Sequence, residues 1–261
     1  MKQKRRTIFS QKSTPDEVDG NALSLYPVKL YMDESGNGNQ RDPLLVGGIV
    51  ADIESESLES EVEQLYENLA ARRYLRGYES FEKFREHGFH ASSDSVEISV
   101  PFFRLIQESV AFKAYVYITD RSGLSPLSEV EQIKELYAAL VSDNLIRYRR
   151  EEEVFCYIEE NSSLREFARQ LPLIAPRKAV EKLGRKVSLP TLRVEMVKKR
   201  EKILVSIIDY IMMAISRWAR DQYLRDITKR GYRNFREVES TISLLYSVEH
   251  GVLLNRNSGA N

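Results

Sequence analysis

The sequence predicts an α/β chain, with a central mixed β-sheet flanked by helices and a helical insertion between the second and third strands. Two observations carry this prediction. Short apolar runs of strand length recur along the chain, and the segments between them return their apolar residues with a helical period. A chain of 261 residues with 42% hydrophobic content is long enough for one large domain, or for a domain with an elaborated insertion.

Residues 28–33 form a short apolar strand that ends at Asp33, and the turn after it, residues 35–39, holds two glycines. Residues 44–50 are almost continuously apolar and suit a buried second strand, so the two should pair as a hairpin. Val62, Leu65, Tyr66 and Leu69 recur with helical spacing among acids and predict an amphipathic helix over 55–75. A charged stretch then leads to Phe89-His90-Ala91. Residues 96–109 read as a helix and the aromatic, β-branched residues 111–119 as a third strand. Ile133, Leu136, Tyr137, Leu140 and Val141 mark a helix over 128–148, and residues 154–158 are a fourth strand with Glu159 and Glu160 at its end. A short helix near 162–170, a proline-bounded irregular stretch, a fifth strand at 190–195 and a highly apolar helix over about 199–220 complete the pattern. This order of elements is that of a ribonuclease-H-like fold. The expected organisation is a flexible leader over 1–26, one domain over 27–250 with its insertion at about 52–110, and a flexible tail over 251–261.

The charge balance narrows the function classes. Thirty-nine basic residues against thirty-nine acidic ones give no overall pull toward polyanions, so any nucleic-acid contact must come from local patches. The one cysteine, Cys156, sits in an apolar run and cannot form an internal disulfide, which fits a reducing compartment. No stretch approaches the roughly 18 apolar residues of a membrane span, and a cytoplasmic protein is expected.

The candidate chemistry lies in carboxylates. Asp33 and Glu159 each close an apolar strand. Side chains alternate along a strand, so neighbouring strands would bring both acids out at one edge of the sheet. Glu160 points the opposite way and is the alternative to Glu159. Asp209 stands in the middle of the most apolar helix, near Val205, Met212 and Met213, where a lone carboxylate needs a proton, a cation or a metal. Lys202 or Arg217 is a possible salt-bridge partner for it. Three such acids suit Mg²⁺ or Mn²⁺, which take oxygen ligands. Zinc fits less well, because His87, His90, His250 and Cys156 offer no convincing ligand spacing beyond His87 and His90. His90 is a candidate for orienting a phosphate or moving a proton.

Tyr31-Met32-Asp33-Glu34-Ser35-Gly36, Leu45-Val46-Gly47-Gly48-Ile49-Val50, Phe89-His90-Ala91 and Ser206-Ile207-Ile208-Asp209-Tyr210-Ile211 resemble motifs of the family called domain of unknown function 3800, over residues 28 to about 220. The resemblance implies a ribonuclease-H-like metal-dependent nuclease, in mobile or defence-associated settings. It implies catalytic roles for Asp33, Glu34, His90, Glu159 and Asp209, with Asp33, Glu159 and Asp209 as metal ligands.

Basic clusters recur at Arg72 to Arg73, Arg147 to Arg150, Arg177 to Lys186, Lys198 to Lys202 and Arg217 to Arg233. Such patches hold phosphates where nearby acids do not balance them. The cluster Lys198, Lys199, Arg200 and Lys202 precedes Asp209 closely enough to position a nucleic-acid backbone. The expected function is therefore hydrolysis of DNA or RNA phosphodiesters at a carboxylate-bound Mg²⁺ or Mn²⁺. The alternatives are a non-catalytic interaction module, such as a defence-system subunit, and a phosphoesterase acting on nucleotides. A homodimer or a partner protein is compatible with apolar faces at 55–75 or 235–250.

Overall fold

A computed structural model describes residues 27–51, 55–185 and 187–256 of the chain. The expected leader and the last five residues of the expected tail lie outside the described residues. The first two strands, β1 (Val28–Ser35) and β2 (Leu44–Ala51), pair antiparallel with Asp33 opposite Gly47. β2 pairs antiparallel with β3 (Phe112–Thr119). On the other side of β1 lie β4 (Glu153–Glu159) and then β5 (Thr191–Val197), both parallel to it. Two further strands, β6 (Ile242–Ser247) and β7 (Gly251–Asn255), extend the sheet beyond β3, in the order β5-β4-β1-β2-β3-β6-β7. The first five strands of that order, β5-β4-β1-β2-β3, are the ribonuclease-H-like arrangement that the sequence predicts.

The insertion between β2 and β3 holds α1 (Ser55–Ala70), α2 (Glu79–His87) and α3 (Val96–Glu108). The remaining helices are α4 (Glu129–Arg147), α5 (Arg165–Leu183), α6 (Val205–Arg220) and α7 (Arg230–Val238). Period-two alternation divides the core into two. Leu30, Met32, Val46 and Cys156 face α4 and α5, whereas Tyr31, Ile49 and Val116 face α6 and the insertion. Ser128 and Glu131 start α4 with a reciprocal capping box.

α6 is largely apolar, and most of it is buried. It lies directly on β1 and β2. Gly47 makes that approach possible: a Cβ there would stand 2.7 Å from Ile208 and 3.1 Å from Met212.

Several expected boundaries move. The charged stretch before Phe89 contains α2. Residues 165–183 form one helix that continues through Pro172 and Pro176, in place of a short helix and an irregular stretch. The helix carrying Asp209 begins at Val205, not near 199, because residues 198–204 fold as successive turns. Residues 251–255, expected in a flexible tail, are strand β7 paired with β6.

Candidate carboxylate centre

β1 and β4 run parallel with Tyr31 beside Tyr157, and the two rings stack at 5.2 Å. Two residues further along each strand, alternation returns Asp33 and Glu159 to that same face and carries both to one edge of the sheet. α6 crosses this edge and brings Asp209 over it. The long-separated acids therefore do meet. At their meeting point stands a cation that the sequence assigned elsewhere: the Nζ of Lys199 lies 3.2 Å from Asp33 Oδ2, 2.9 Å from Glu159 Oε2 and 2.8 Å from Asp209 Oδ2.

Lys199 is buried, with only 6% of its side chain exposed, so these contacts are little screened by solvent. Burial alone would lower its pKa, but the charges of Asp33, Asp209 and Glu159 outweigh burial and raise it above the ordinary lysine value. Burial pushes Asp33 well above the usual carboxylate range. Lys199 opposes that rise, while Glu159 and Asp209 add to it. One ammonium faces three carboxylates, so the cluster is short of positive charge. A proton on Asp33, shared with Glu159, reduces the uncompensated charge from two to one and does not remove it.

The other contacts hold this cluster in shape. Asp33 Oδ1 accepts the backbone N–H of Glu34 at 2.7 Å, which turns Oδ2 toward Lys199. Asp209 Oδ2 also accepts the N–H of Ala91 at 3.1 Å and lies 3.3 Å from His90 Nδ1. The loop after α2 delivers both groups, because Phe89 anchors it by stacking on Phe102 at 4.0 Å. The His90 side chain is 45% exposed. Burial, then the Lys199 charge, lowers its pKa and favours the neutral imidazole. Beneath it, Asp94 Oδ2 accepts the backbone N–H of His90 at 2.7 Å and the Tyr210 hydroxyl at 2.5 Å, while its Oδ1 is buried with no hydrogen-bond partner among the described residues. Burial raises the Asp94 pKa to about 6.

The structure thus brings Asp33, His90, Glu159 and Asp209 together and leaves Glu34 apart. Glu34 follows Asp33 by one residue and so faces α4, where Tyr137 donates to it at 2.5 Å and Asn161 at 2.6 Å. Neither Lys202 nor Arg217 pairs with Asp209. The expected row of nucleic-acid-binding cations is dispersed: Lys199 is inside the carboxylate centre, Arg200 lies over the Tyr66 ring at 3.9 Å and Lys202 over the Tyr157 ring at 5.0 Å. Lys198 is exposed. No local period carried the signal for Lys199: β5 ends at Val197, in register with Glu159, and Lys199 lies in the turns beyond it.

A fold of this kind raises the question of a divalent metal, and the donor chemistry suits one, since all three side chains are hard carboxylate donors whose oxygens already point at one place. That place is filled by the ammonium. Among the described residues no three His, Cys, Asp or Glu side chains are grouped to hold a metal ion as they stand. A metal therefore fits the donor set only with Lys199 withdrawn.

Comparison with known proteins adds little to this geometry. No family model and no curated protein matches the chain. Among solved structures it is similar to ribonuclease HII of Archaeoglobus fulgidus in a complex with PCNA, at 16% identity and a TM-score of 0.40 over 82% of this chain and 87% of that one. It is similar to ribonuclease H2 of Pyrococcus horikoshii at 14% identity and a TM-score of 0.42, over 78% of each chain. It is also similar to Bst-RNase HIII in complex with Mn²⁺, at 14% identity and a TM-score of 0.43 over 87% of this chain and 76% of that one. The ribonuclease-H-like assignment rests on the strand order and directions of this sheet. No helix of the described residues is long and apolar enough to cross a membrane.

Proposed function

We propose that the chain hydrolyses phosphodiester bonds of nucleic acid at a divalent-metal centre held by Asp33, Glu159 and Asp209, with Lys199 as the resident cation of the unloaded state. The observation that carries this reading is the convergence of three carboxylates on one buried, positively charged point at a sheet edge, with too little charge there to balance them. The resemblance of the acid-bearing motifs to the domain of unknown function 3800 family supports it.

When bound, Mg²⁺ or Mn²⁺ supplies polarisation of a phosphoryl oxygen and activation of water at neutral pH. The chain's own residues do the rest. Asp33, Glu159 and Asp209 supply the oxygen donors. Ala91 N–H fixes the rotamer of Asp209. His90, half-exposed at the rim and largely neutral, takes or returns a proton at its ring nitrogen while Asp209 orients the ring. Lys199, once released from the carboxylates, is a compact positive charge beside the reacting phosphate.

A second reading is favoured by the same lysine. If the ammonium never leaves, the cluster is a structural salt-bridge network and the chain is a non-catalytic module.

Cleavage of labelled single-stranded and duplex DNA, RNA and hybrid in Mn²⁺ tests the proposal. The parent cuts at least one of these, and Asp33→Asn and Asp209→Asn abolish cutting. Parental rates in both variants would overturn the mechanism. Absence of binding heat at millimolar Mn²⁺, with an unchanged melting temperature, establishes the module instead.

A further inference from the structure

The basic run from Arg217 to Arg233 is not used by the carboxylate centre, yet Arg217, Arg220, Lys229 and Arg230 gather around one cleft of about 360 Å³. α6 ends at this cleft and α7 begins there. Arg217 and Arg220 come from the last turn of α6, Lys229 is the residue before α7, and Arg230 is its first residue. The two helices approach closely because residue 231 is glycine. A Cβ there would stand 2.5 Å from the Arg217 carbonyl oxygen and 2.5 Å from Asp221 Oδ2.

The charges in the cleft are poorly balanced. Arg220 pairs with Asp42 at 3.4 Å, and no ion pair is found for Arg217, Lys229 or Arg230 among the described residues. Asp221 lines the cleft, and Asp226 faces Lys229 from the preceding turn, where its carboxylate accepts from Thr228. Arg217 is half-buried, and burial together with the charges of Arg230 and Arg220 lowers its pKa. Cations suit the last turn of α6. At the start of α7 they oppose the helix dipole, and no side chain caps that end. Folding has therefore collected like charges at the positive end of a helix, an arrangement that an oxyanion would relieve at several points at once.

The cleft is also suitably placed. Arg217 stands eight residues beyond Asp209 on α6, about 12 Å along the axis at 1.5 Å per residue. That distance corresponds to roughly three to four nucleotides along one strand of a duplex. The Arg220 to Asp42 pair ties the cleft to the loop that follows β1, at the edge where Asp33 lies.

We infer that the cleft between α6 and α7 is a phosphate-binding site, in which Arg217, Arg220, Lys229 and Arg230 hold a backbone phosphate of the nucleic acid a few nucleotides from the carboxylate centre. The identity of the ligand rests on the proposed function; the binding itself does not depend on hydrolysis.

Binding is therefore measured in EDTA, by fluorescence anisotropy of a labelled 20-nucleotide strand and its duplex over a range of salt concentrations. Arg217→Gln with Arg230→Gln is expected to weaken binding at least tenfold. The slope of log affinity against log salt should fall by about 0.7–0.9, the contribution of the one phosphate contact that the cleft makes. The melting temperature of the free variant should equal or exceed that of the parent, because repulsion is removed; a merely structural role for these arginines predicts the reverse. Arg230→Gln alone, an exposed change, serves if the double variant folds poorly, and should lower both affinity and salt slope, each by less than the double variant does. Unchanged affinity and salt slope would overturn the inference. Stabilisation of the parent by millimolar inorganic phosphate, without oligonucleotide binding, would overturn the backbone assignment in favour of a free-phosphate site. Hydrolysis of bis(4-nitrophenyl) phosphate in Mn²⁺ reports on the carboxylate centre alone. Its failure alongside intact oligonucleotide binding sinks the metal mechanism and leaves the cleft standing.

Discussion

Replacing Lys199 by methionine keeps most of the side chain's length and apolar stem and removes its charge. In the parent, the ammonium lies within 3.2 Å of an oxygen from each of Asp33, Glu159 and Asp209, with 6% of its side chain exposed. Its loss leaves three carboxylates facing one another across a buried space, and removing one partner of a buried pair costs about 3–5 kcal/mol. For a chain of this size that corresponds to a fall in melting temperature of about 6–20 °C. Two opposing effects keep the loss from being larger: burial already pushes Asp33 toward its protonated form, and the methionine retains the packing of the stem. The same substitution vacates the point on which the oxygens converge. Mn²⁺ should therefore stabilise the variant more than the parent; at one hundred times the variant's dissociation constant the variant gains about 2.7 kcal/mol. Differential scanning fluorimetry at pH 7, with EDTA and with a Mn²⁺ series, reads both effects. The expected result is a lower melting temperature in EDTA and a larger rise with Mn²⁺. A Lys199→Met variant that melts with the parent in EDTA and ignores Mn²⁺ would refute the reasoning, because neither the charge shortage nor the donor set would then be real.

Two further predictions concern the support of the centre. Gly47→Val places side-chain atoms where Ile208 and Met212 already stand, so α6 must lift from the sheet; chemical denaturation should show a loss of about 1–3 kcal/mol, and Mn²⁺ affinity should fall because Asp209 moves with the helix. Asp94 binds its proton more tightly folded than unfolded, with a pKa raised from 3.8 to about 6, so its contribution to stability is full below pH 3.8 and is lost as pH rises through about 6. Asp94→Asn does not ionise. Its stability relative to the parent should climb by about 1–3 kcal/mol between pH 4 and 6 and then level off, and a difference that stays flat over that range would contradict the assignment.

Much of the architecture was legible because its signals are local. The short apolar runs of residues 28–33 and 44–50, and the period of residues 128–148, depend on short windows of sequence, and each corresponds to an element found there. The meeting of Asp33, Glu159 and Asp209 followed from strand alternation together with the anomaly of an acid inside an apolar helix. Missed features have non-local causes. Pro172 and Pro176 suggested irregular chain, but packing of α5 against α4 and β5 overrides the local cost of proline in a helix. β7 is short, and pairing with β6 forms it. Charge and proximity in sequence suggested that Lys199 belongs with its neighbours on a nucleic-acid surface. Where that lysine goes is decided by the turns over 198–204, which no period announces. Glu34 adjoins Asp33 in sequence and is separated from it by the sheet itself, a consequence of alternation that the family resemblance alone does not convey.

Anomalous diffraction from crystals soaked in Mn²⁺, recorded above and below the manganese edge, tests the carboxylate centre most directly. The account predicts a manganese peak bonded to oxygens of Asp33, Glu159 and Asp209, with the Lys199 ammonium displaced from the position it holds here. A map with no such peak at saturating Mn²⁺, and with Lys199 still bound to all three carboxylates, would contradict it.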